Sequence, residues 1–218
     1  MKLTACITAA AIFIGTLAAS SPAPGAEGQS ISQVNGSIRT TAGQTYDTLS
    51  SVNGDVRVEQ GVIADSAHTV NGDIVLESDA KVGSVKTVNG ALRIGAGVTV
   101  AREASTVNGG VKLAERSHVG GTVSTVSGDI ELDGAEVAGK LTTNNGDIEL
   151  TGGARVRGGI HVKKNDSWNS HDKDDPIKVH VCSTCVVEGE LRFERPVELR
   201  VDQGGKIGNV IGDAVTRR

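Results

Sequence analysis

Apolar and polar residues alternate in short, regularly spaced segments along most of the chain. Each segment comes shortly after a glycine and reads apolar, polar, apolar, as in Leu92-Arg93-Ile94 and Ile130-Glu131-Leu132. A period of two predicts a β-strand with one buried face. Stacking the segments would place their first and third residues in two inward columns. The first column consists of Ile38, Val56, Ile74, Leu92, Val111, Ile130 and Ile148, and the second of Val58, Leu76, Ile94, Leu113, Leu132 and Leu150.

The segments recur because the chain repeats itself. The repeated unit contains Val-Asn-Gly, first at Val34-Asn35-Gly36 and last, in altered form, at Asn144-Asn145-Gly146. The spacings between successive motifs are 18, 18, 18, 19, 19 and 18 residues. An even period of this length predicts one coil of a β-solenoid with three short faces of about six residues each.

The predicted fold class is therefore all-β, a single-stranded parallel β-helix of roughly nine coils. Strand-like stretches such as Val119-Gly120-Gly121-Thr122-Val123 supply the remaining wall of each coil. The general preference of parallel crossovers favours a right-handed solenoid. A coil of three six-residue faces keeps the left-handed form open.

The Asn-Gly pair predicts a structural corner. Asn and Gly both tolerate left-handed backbone conformations, and stacked Asn amides can hydrogen-bond from coil to coil. An array of Asn side chains that binds a ligand is the alternative interpretation. The hydroxyl residues just before the corner predict a second column, which consists of Thr69, Thr87, Thr106, Thr125 and Thr143.

The segments outside the repeat define the domain organisation. Residues 2–19 carry one basic residue and then an apolar run that ends in small residues, so residues 1–26 predict a cleaved signal peptide, with a membrane anchor as the alternative. Residues 27–212 form the predicted solenoid. The polar stretch 163–176 predicts an insertion that protrudes from one corner, and residues 213–218 a C-terminal tail.

Composition narrows the range of partners. The chain has 29 Gly, only four aromatic residues and a formal net charge of -4. A core must therefore be built from small branched side chains in repeated layers. The mildly acidic balance gives no electrostatic reason to expect nucleic acid or an anionic membrane as a partner. We expect a periplasmic or secreted protein without a transmembrane segment in its mature form.

The repeats resemble those of bacterial envelope β-solenoids of the adhesin type, through Asn71-Gly72-Asp73-Ile74 and Asn145-Gly146-Asp147-Ile148. The resemblance covers residues 31–212. More loosely, the chain is similar to bactofilins, the polymer-forming β-helix proteins, from which it departs by its export signal and its Cys pair. Neither family brings a catalytic residue or a cofactor to this chain. We therefore expect a non-enzymatic structural or adhesive protein of the cell envelope. The strand edges at the solenoid ends must be capped or used for self-association.

Cys182 and Cys185 are the only paired cysteines. In an oxidising compartment they predict a local disulfide, with a redox pair as a weaker alternative. A zinc site formed by His180, Cys182 and Cys185 is a further alternative, and His161 or His171 could supply its fourth ligand.

The insertion carries the remaining candidate chemistry. Trp168 is the only Trp, and an indole in an exposed loop can stack on a sugar or on a partner protein, or instead cover apolar surface. The acidic residues there match no calcium-loop spacing. The alternative functions are therefore a module that binds a glycan or an envelope protein around Trp168 and, as a minor alternative, a polysaccharide-active β-helix enzyme.

Overall fold

The protein is an all-β parallel solenoid without a helix in the part of the chain that the computed structural model describes, which is residues 28–164, 176–212 and 215–217. The described strands are, in chain order, β1 (Gln29–Asn35), β2 (Ile38–Arg39), β3 (Thr45–Asn53), β4 (Val56–Val58), β5 (Ile63–Asn71), β6 (Ile74–Leu76), β7 (Lys81–Lys86), β8 (Leu92–Ile94), β9 (Thr99–Val100), β10 (Ala104–Ser105), β11 (Val111–Leu113), β12 (His118–Val119), β13 (Val123–Ser124), β14 (Ile130–Asp133), β15 (Glu136–Val137), β16 (Leu141–Thr143), β17 (Ile148–Thr151), β18 (Arg155–Val156), β19 (Ile160–Val162), β20 (Ile177–Val181), β21 (Val186–Val187), β22 (Leu191–Phe193), β23 (Val197–Val201), β24 (Lys206–Ile207), β25 (Val210–Ile211) and β26 (Val215–Arg217).

Two sheets form the walls of the solenoid. Ten strands, from β2 to β26, stack in chain order into one sheet, and the first seven of them follow the repeated corners. The other strands form a sixteen-stranded sheet, and every strand pair in both sheets is parallel. Partners such as Ile74 and Leu92 lie 18 residues apart in the chain, so each coil is one repeat. The fold class predicted from the sequence is confirmed.

The larger sheet divides into two ladders partway along the solenoid. β7 pairs with β9 through Val82 and with β10 through Val85. Two residues separate Val82 from Val85, whereas three separate Val100 from Ala104. The extra residue lies where the continuous strand is replaced by two short ones, and it accounts for the first 19-residue spacing. The three-faced coil that we predicted therefore begins with β9, and β3, β5 and β7 each run as one continuous strand.

The core is a stack of small aliphatic layers. Both inward columns predicted from the sequence are buried, with no member more than 2% exposed to solvent. The larger sheet adds a third set of buried residues, for example Val85, Val123 and Leu141. Each fully buried side chain of this kind contributes roughly 1.5–3 kcal/mol relative to an exposed one. Repetition of small layers thus replaces the aromatic core that the composition excludes.

The last strand lies beyond the predicted end of the solenoid. The ten-stranded sheet marks about ten coils, in agreement with the prediction of roughly nine, and Val215–Arg217, within the predicted C-terminal tail, pairs with β23. The insertion interrupts the chain between β19 and β20. Its residues 165–175, like the predicted signal peptide 1–26, lie outside the described residues.

Candidate functional site

The Asn-Gly corners form a column of amides on the surface. Four consecutive Asn side chains, from Asn53 to Asn108, each donate from Nδ2 to the Oδ1 atom of the Asn in the preceding coil, over 2.8 to 3.0 Å. The ladder consists of Asn35, Asn53, Asn71, Asn89 and Asn108. Because the amides bond to one another along the column, the geometry supports the structural interpretation of this motif rather than a ligand array.

The hydroxyl column lies inside the same corner. Thr69, Thr87, Thr106 and Thr125 are no more than 4% exposed, and each Oγ1 donates to a glycine carbonyl of the preceding coil over 2.9 to 3.0 Å. The glycines allow this close stacking: a Cβ atom on Gly90 would lie 2.0 Å from the Gly72 carbonyl oxygen. The corner is therefore fixed by backbone proximity as well as by side chains.

A stripe of exposed valines runs beside the asparagine ladder. The valines of the Val-Asn-Gly motifs are 39 to 66% exposed, and they are Val34, Val52, Val70, Val88, Val107 and Val126. Sequence reasoning missed this stripe, because strict alternation would not expose two consecutive residues. The signal that could have found it is the corner itself, since the chain turns between the buried Thr and the Gly and leaves both Val and Asn outside.

The base of the insertion carries a cluster of charged side chains. His161 Nε2 lies 2.8 Å from Glu194 Oε1, and the Lys164 N–H donates to the same carboxylate over 3.3 Å. The histidine and the N–H group hold the pKa of Glu194 below its ordinary value of 4.5. A shallow cleft of about 300 Å³ adjoins this pair, lined by Lys140, Ile160, His161, Glu190 and Arg192. Trp168 lies outside the described residues.

Cys182 and Cys185 form a disulfide in the turn after β20, with their Sγ atoms 2.17 Å apart. Cys185 is fully buried, and Cys182 packs against the core. His180 Nε2 lies 3.1 Å from Asp202 Oδ2, and this contact holds the pKa of Asp202 below its ordinary value of 3.8.

The candidate metal ligands are therefore already engaged in other contacts. His180 pairs with Asp202, and both cysteine sulfurs belong to the disulfide. Across residues 28–164, 176–212 and 215–217, no group of three or more His, Cys, Asp or Glu side chains could hold a metal ion. His171, the other candidate fourth ligand, lies outside these ranges. Within them, no helix is long and apolar enough to cross a membrane.

Comparison with known proteins adds no relative. A scan against protein-family models, a search of curated proteins and a search of solved structures each found no match to this chain. The structure itself shows the class of fold, which is a parallel β-solenoid with a ladder of asparagine side chains at its corners. The resemblance to adhesin-type solenoids stays a prediction.

Proposed function

We propose that this chain is an exported, non-enzymatic structural solenoid of the bacterial cell envelope, which assembles by stacking the N-terminal end of one copy on the C-terminal end of another. The observation that carries the proposal is the strand edge at each end of the described solenoid. Within the described residues, β1 pairs only with β3, and β24, β25 and β26 each pair only with the coil before them. Such edges are templates for pairing with another chain.

The N-terminal edge presents backbone donors outward. In an interior coil, the N–H groups of Val85 and Thr87 donate forward to the next coil, so the Lys86 N–H between them points back to the preceding one. Ser32 occupies the Lys86 position in the first coil, through the register that links β1, β3, β5 and β7. The Ser32 N–H therefore points toward the molecule that would stack there.

The valine of the first coil is more exposed to solvent than the valines of the coils that follow. Val34 is 66% exposed, whereas the next valine of the stripe, Val52, is 40% exposed. The difference arises because Val34 has a neighbouring coil on one side only. A second copy that stacked in register would cover Val34 to about the same extent as the interior valines and would extend both the stripe and the asparagine ladder.

The two ends differ in the corner between the ladders of the larger sheet. In the last coil two residues separate the inward positions Ile207 and Val210. In β1 the pairing with β3 shifts register, so that one residue separates Gln29 and Ile31. A contact between two different ends is head-to-tail, and such contacts generate filaments when the rotation does not close.

The location in the envelope rests on other features. The predicted signal peptide supports export, and the Cys182–Cys185 disulfide supports an oxidising compartment. The periodic surface favours a structural role, because the repeat specifies shape more than chemistry. An adhesive role is what the resemblance to envelope solenoids implies.

Light scattering of the mature protein over a wide concentration range tests the proposal. We expect the mean mass to rise with concentration. Ser32→Pro should prevent this rise, because proline removes the outward N–H and an edge strand tolerates it. Ser32→Ala, which keeps the N–H, should assemble like the wild type.

Mixing the two proteins tests the head-to-tail arrangement. A Ser32→Pro molecule keeps its C-terminal edge, so it should add to the N-terminal end of a wild-type assembly and block further growth there. Small amounts of the variant should then lower the mass of wild-type assemblies. A wild-type protein that stays monomeric at every concentration would refute self-association, and a variant without effect on the mixture would refute the head-to-tail contact.

A binding role around the insertion is the second candidate. The observation that favours it is the charged base formed by His161, Lys164 and Glu194, which positions the start of the insertion. Trp168→Ala should weaken binding to cell-wall or polysaccharide preparations. Unchanged binding would argue against Trp168 as the contact.

A further inference from the structure

A column of aspartates follows the glycine ladder and bonds coil to coil. Its side chains accept the backbone N–H of the same position in the next coil: Asp55 Oδ1 accepts from Asp73, and Asp129 Oδ1 accepts from Asp147, over 2.9 and 2.8 Å. The column reads Ser37, Asp55, Asp73, Ala91, Gly110, Asp129, Asp147 and Lys178. Its carboxylates are thus part of the structural repeat.

The column is interrupted at Ala91 and Gly110, which have no side-chain acceptor. The N–H groups that would bond to these positions belong to Gly110 and Asp129. Neither N–H has a hydrogen-bond acceptor within residues 28–164 and 176–212, although the corresponding groups of Ala91 and Asp147 are both bonded. Two backbone donors therefore face the surface at the interruption.

The preceding coil shows what such a donor binds. Asp73 Oδ1 accepts the Ala91 N–H over 2.8 Å, while Asp73 Oδ2 pairs with Arg93 Nη1 over 2.5 Å. Because Lys112 lies directly beside Arg93 in the sheet, the same arrangement recurs one coil later with Gly110 N–H and Lys112. Only the carboxylate itself is lacking from the sequence there. We refer to Ala91, the Gly110 N–H and Lys112 as the Ala91 slot.

The slot opens into a shallow depression of about 320 Å³. Leu92 and Val111 contribute to its lining, and Arg93, Lys112, Asp129 and Glu131 supply its charged groups. Lys112 pairs with Glu131 over 2.7 Å. The depression thus offers further donors and acceptors beside the slot, which a ligand with several hydroxyl groups could use.

We propose that the Ala91 slot binds the carboxylate of an acidic sugar residue. One carboxylate oxygen accepts the Gly110 N–H and the other pairs with Lys112, as Asp73 does with Ala91 and Arg93. The ring hydroxyls donate to the carboxylates of Asp129 and Glu131. A carboxylate-bearing sugar fits these surroundings better than an isolated acidic side chain, because the side chain would leave the acceptors at the rim unused.

The charges around the slot limit the affinity. Asp73, Asp129 and Glu131 are negatively charged. Of the two cations, Arg93 already pairs with Asp73 and Lys112 with Glu131. The bound carboxylate would share these cations with their present partners. We therefore expect moderate affinity that weakens as salt is added, since the charged groups are exposed and screened.

The test is an NMR titration of the mature protein, because the Gly110 and Asp129 amide signals report on the two donors directly. The probes are trigalacturonic acid, a neutral galactose trimer and a short glutamate peptide. We expect the acidic trimer to move the Gly110 amide signal downfield with saturation, and the other two probes to leave it unchanged. This outcome does not depend on self-association, since it is read at a concentration where the protein is monomeric or in the Ser32→Pro variant.

Three variants make the assignment specific. Ala91→Asp completes the column, so its own carboxylate should occupy the Gly110 N–H and abolish the titration. Ala101→Asp adds the same charge at an exposed position between β9 and β10, outside the sheet that carries the slot, and should bind nearly as well as the wild type. Lys112→Gln should weaken binding about tenfold through loss of a charge-assisted bond.

Several outcomes would overturn the proposal. An unmoved Gly110 signal would do so, as would an equal response to the neutral trimer or normal binding by Ala91→Asp. A response to the glutamate peptide alone would reassign the slot to an acidic protein partner.

Discussion

Arg195 Nη1 donates to the Asn144 carbonyl oxygen over 2.9 Å and also to the side-chain oxygen of Asn145. Arg195 and Asn145 lie 50 positions apart in the chain, since one coil and the insertion lie between their corners. Asn145 follows Ser127 in the stack of corners. The guanidinium thus bonds to the corner that precedes the insertion and ties the coils on both sides together.

Arg195→Ala should lower the free energy of unfolding by about 1.5–3 kcal/mol, because a partly buried carbonyl and an amide oxygen lose a charged donor. Arg195→Lys should recover only part of this loss, since an ammonium lacks the planar fork of guanidinium. Urea denaturation measures both variants. Equal stability of the Ala variant and the wild type would show that the hydrogen bonds of Arg195 do not stabilise the coils around the insertion.

Thr106 and Thr143 make a matched pair for the hydroxyl column. Thr106 Oγ1 bonds to the Gly90 carbonyl oxygen, whereas Thr143 Oγ1 is buried without a partner among the described residues. Thr106→Val should therefore cost about 1 kcal/mol, while Thr143→Val should be neutral or stabilising because it removes an unsatisfied polar atom. The denaturation midpoint should fall in Thr106→Val and stay unchanged or rise in Thr143→Val. A loss of similar size in both would contradict this assignment.

Substitutions at Gly90 and Gly43 distinguish the cost of a steric clash between coils from the cost of an unfavourable backbone conformation. A Cβ atom on Gly90 would lie 2.0 Å from the Gly72 carbonyl oxygen, whereas one on Gly43 would meet nothing within 4 Å. Gly43 has a φ of 70°, so Gly43→Ala should cost only about 1–2 kcal/mol, the usual cost of a left-handed residue.

Gly90→Ala should cost considerably more, because the coils would have to separate at the corner. Thermal denaturation followed by circular dichroism compares the two variants. A milder effect at Gly90 than at Gly43 would show that the coils can separate easily at this corner.

Several of these features could be read from the sequence, and the reason is repetition. The inward columns and the asparagine ladder follow from a period that brings like residues together, so each coil predicts the next. Contacts outside the period could not be read in this way. Arg195 reaches Asn145 only because an insertion displaces one corner, and the donors at Gly110 and Asp129 follow from two short residues whose effect is visible only in three dimensions.

Glu194 makes the base of the insertion sensitive to acid. Its pKa is lowered in the folded protein, chiefly by the hydrogen bond to His161, so its contribution to stability is present above pH 4.5 and is lost as pH falls through the lowered value. Glu194→Gln should therefore reduce stability at pH 7 and have less effect as the medium becomes acidic.

A carboxyl titration by NMR measures the cause directly. The pKa of Glu194 should rise toward its ordinary value in His161→Gln. An unchanged pKa in that variant would show that the neighbouring Lys164 N–H, rather than the histidine, stabilises the carboxylate.

The Cys182–Cys185 disulfide closes a short loop, so its removal should have a limited effect on stability. Reduction should lower the free energy of unfolding by about 2 kcal/mol in the chain-entropy treatment of a loop of this size. Because the Cys185 side chain remains buried after reduction, the core keeps its packing and the solenoid should stay folded. Thiol titration of the denatured, unreduced protein without residues 1–26 should find no free thiol. Two free thiols together with one bound zinc ion per chain would instead establish the metal site that the spacing of His180, Cys182 and Cys185 left open.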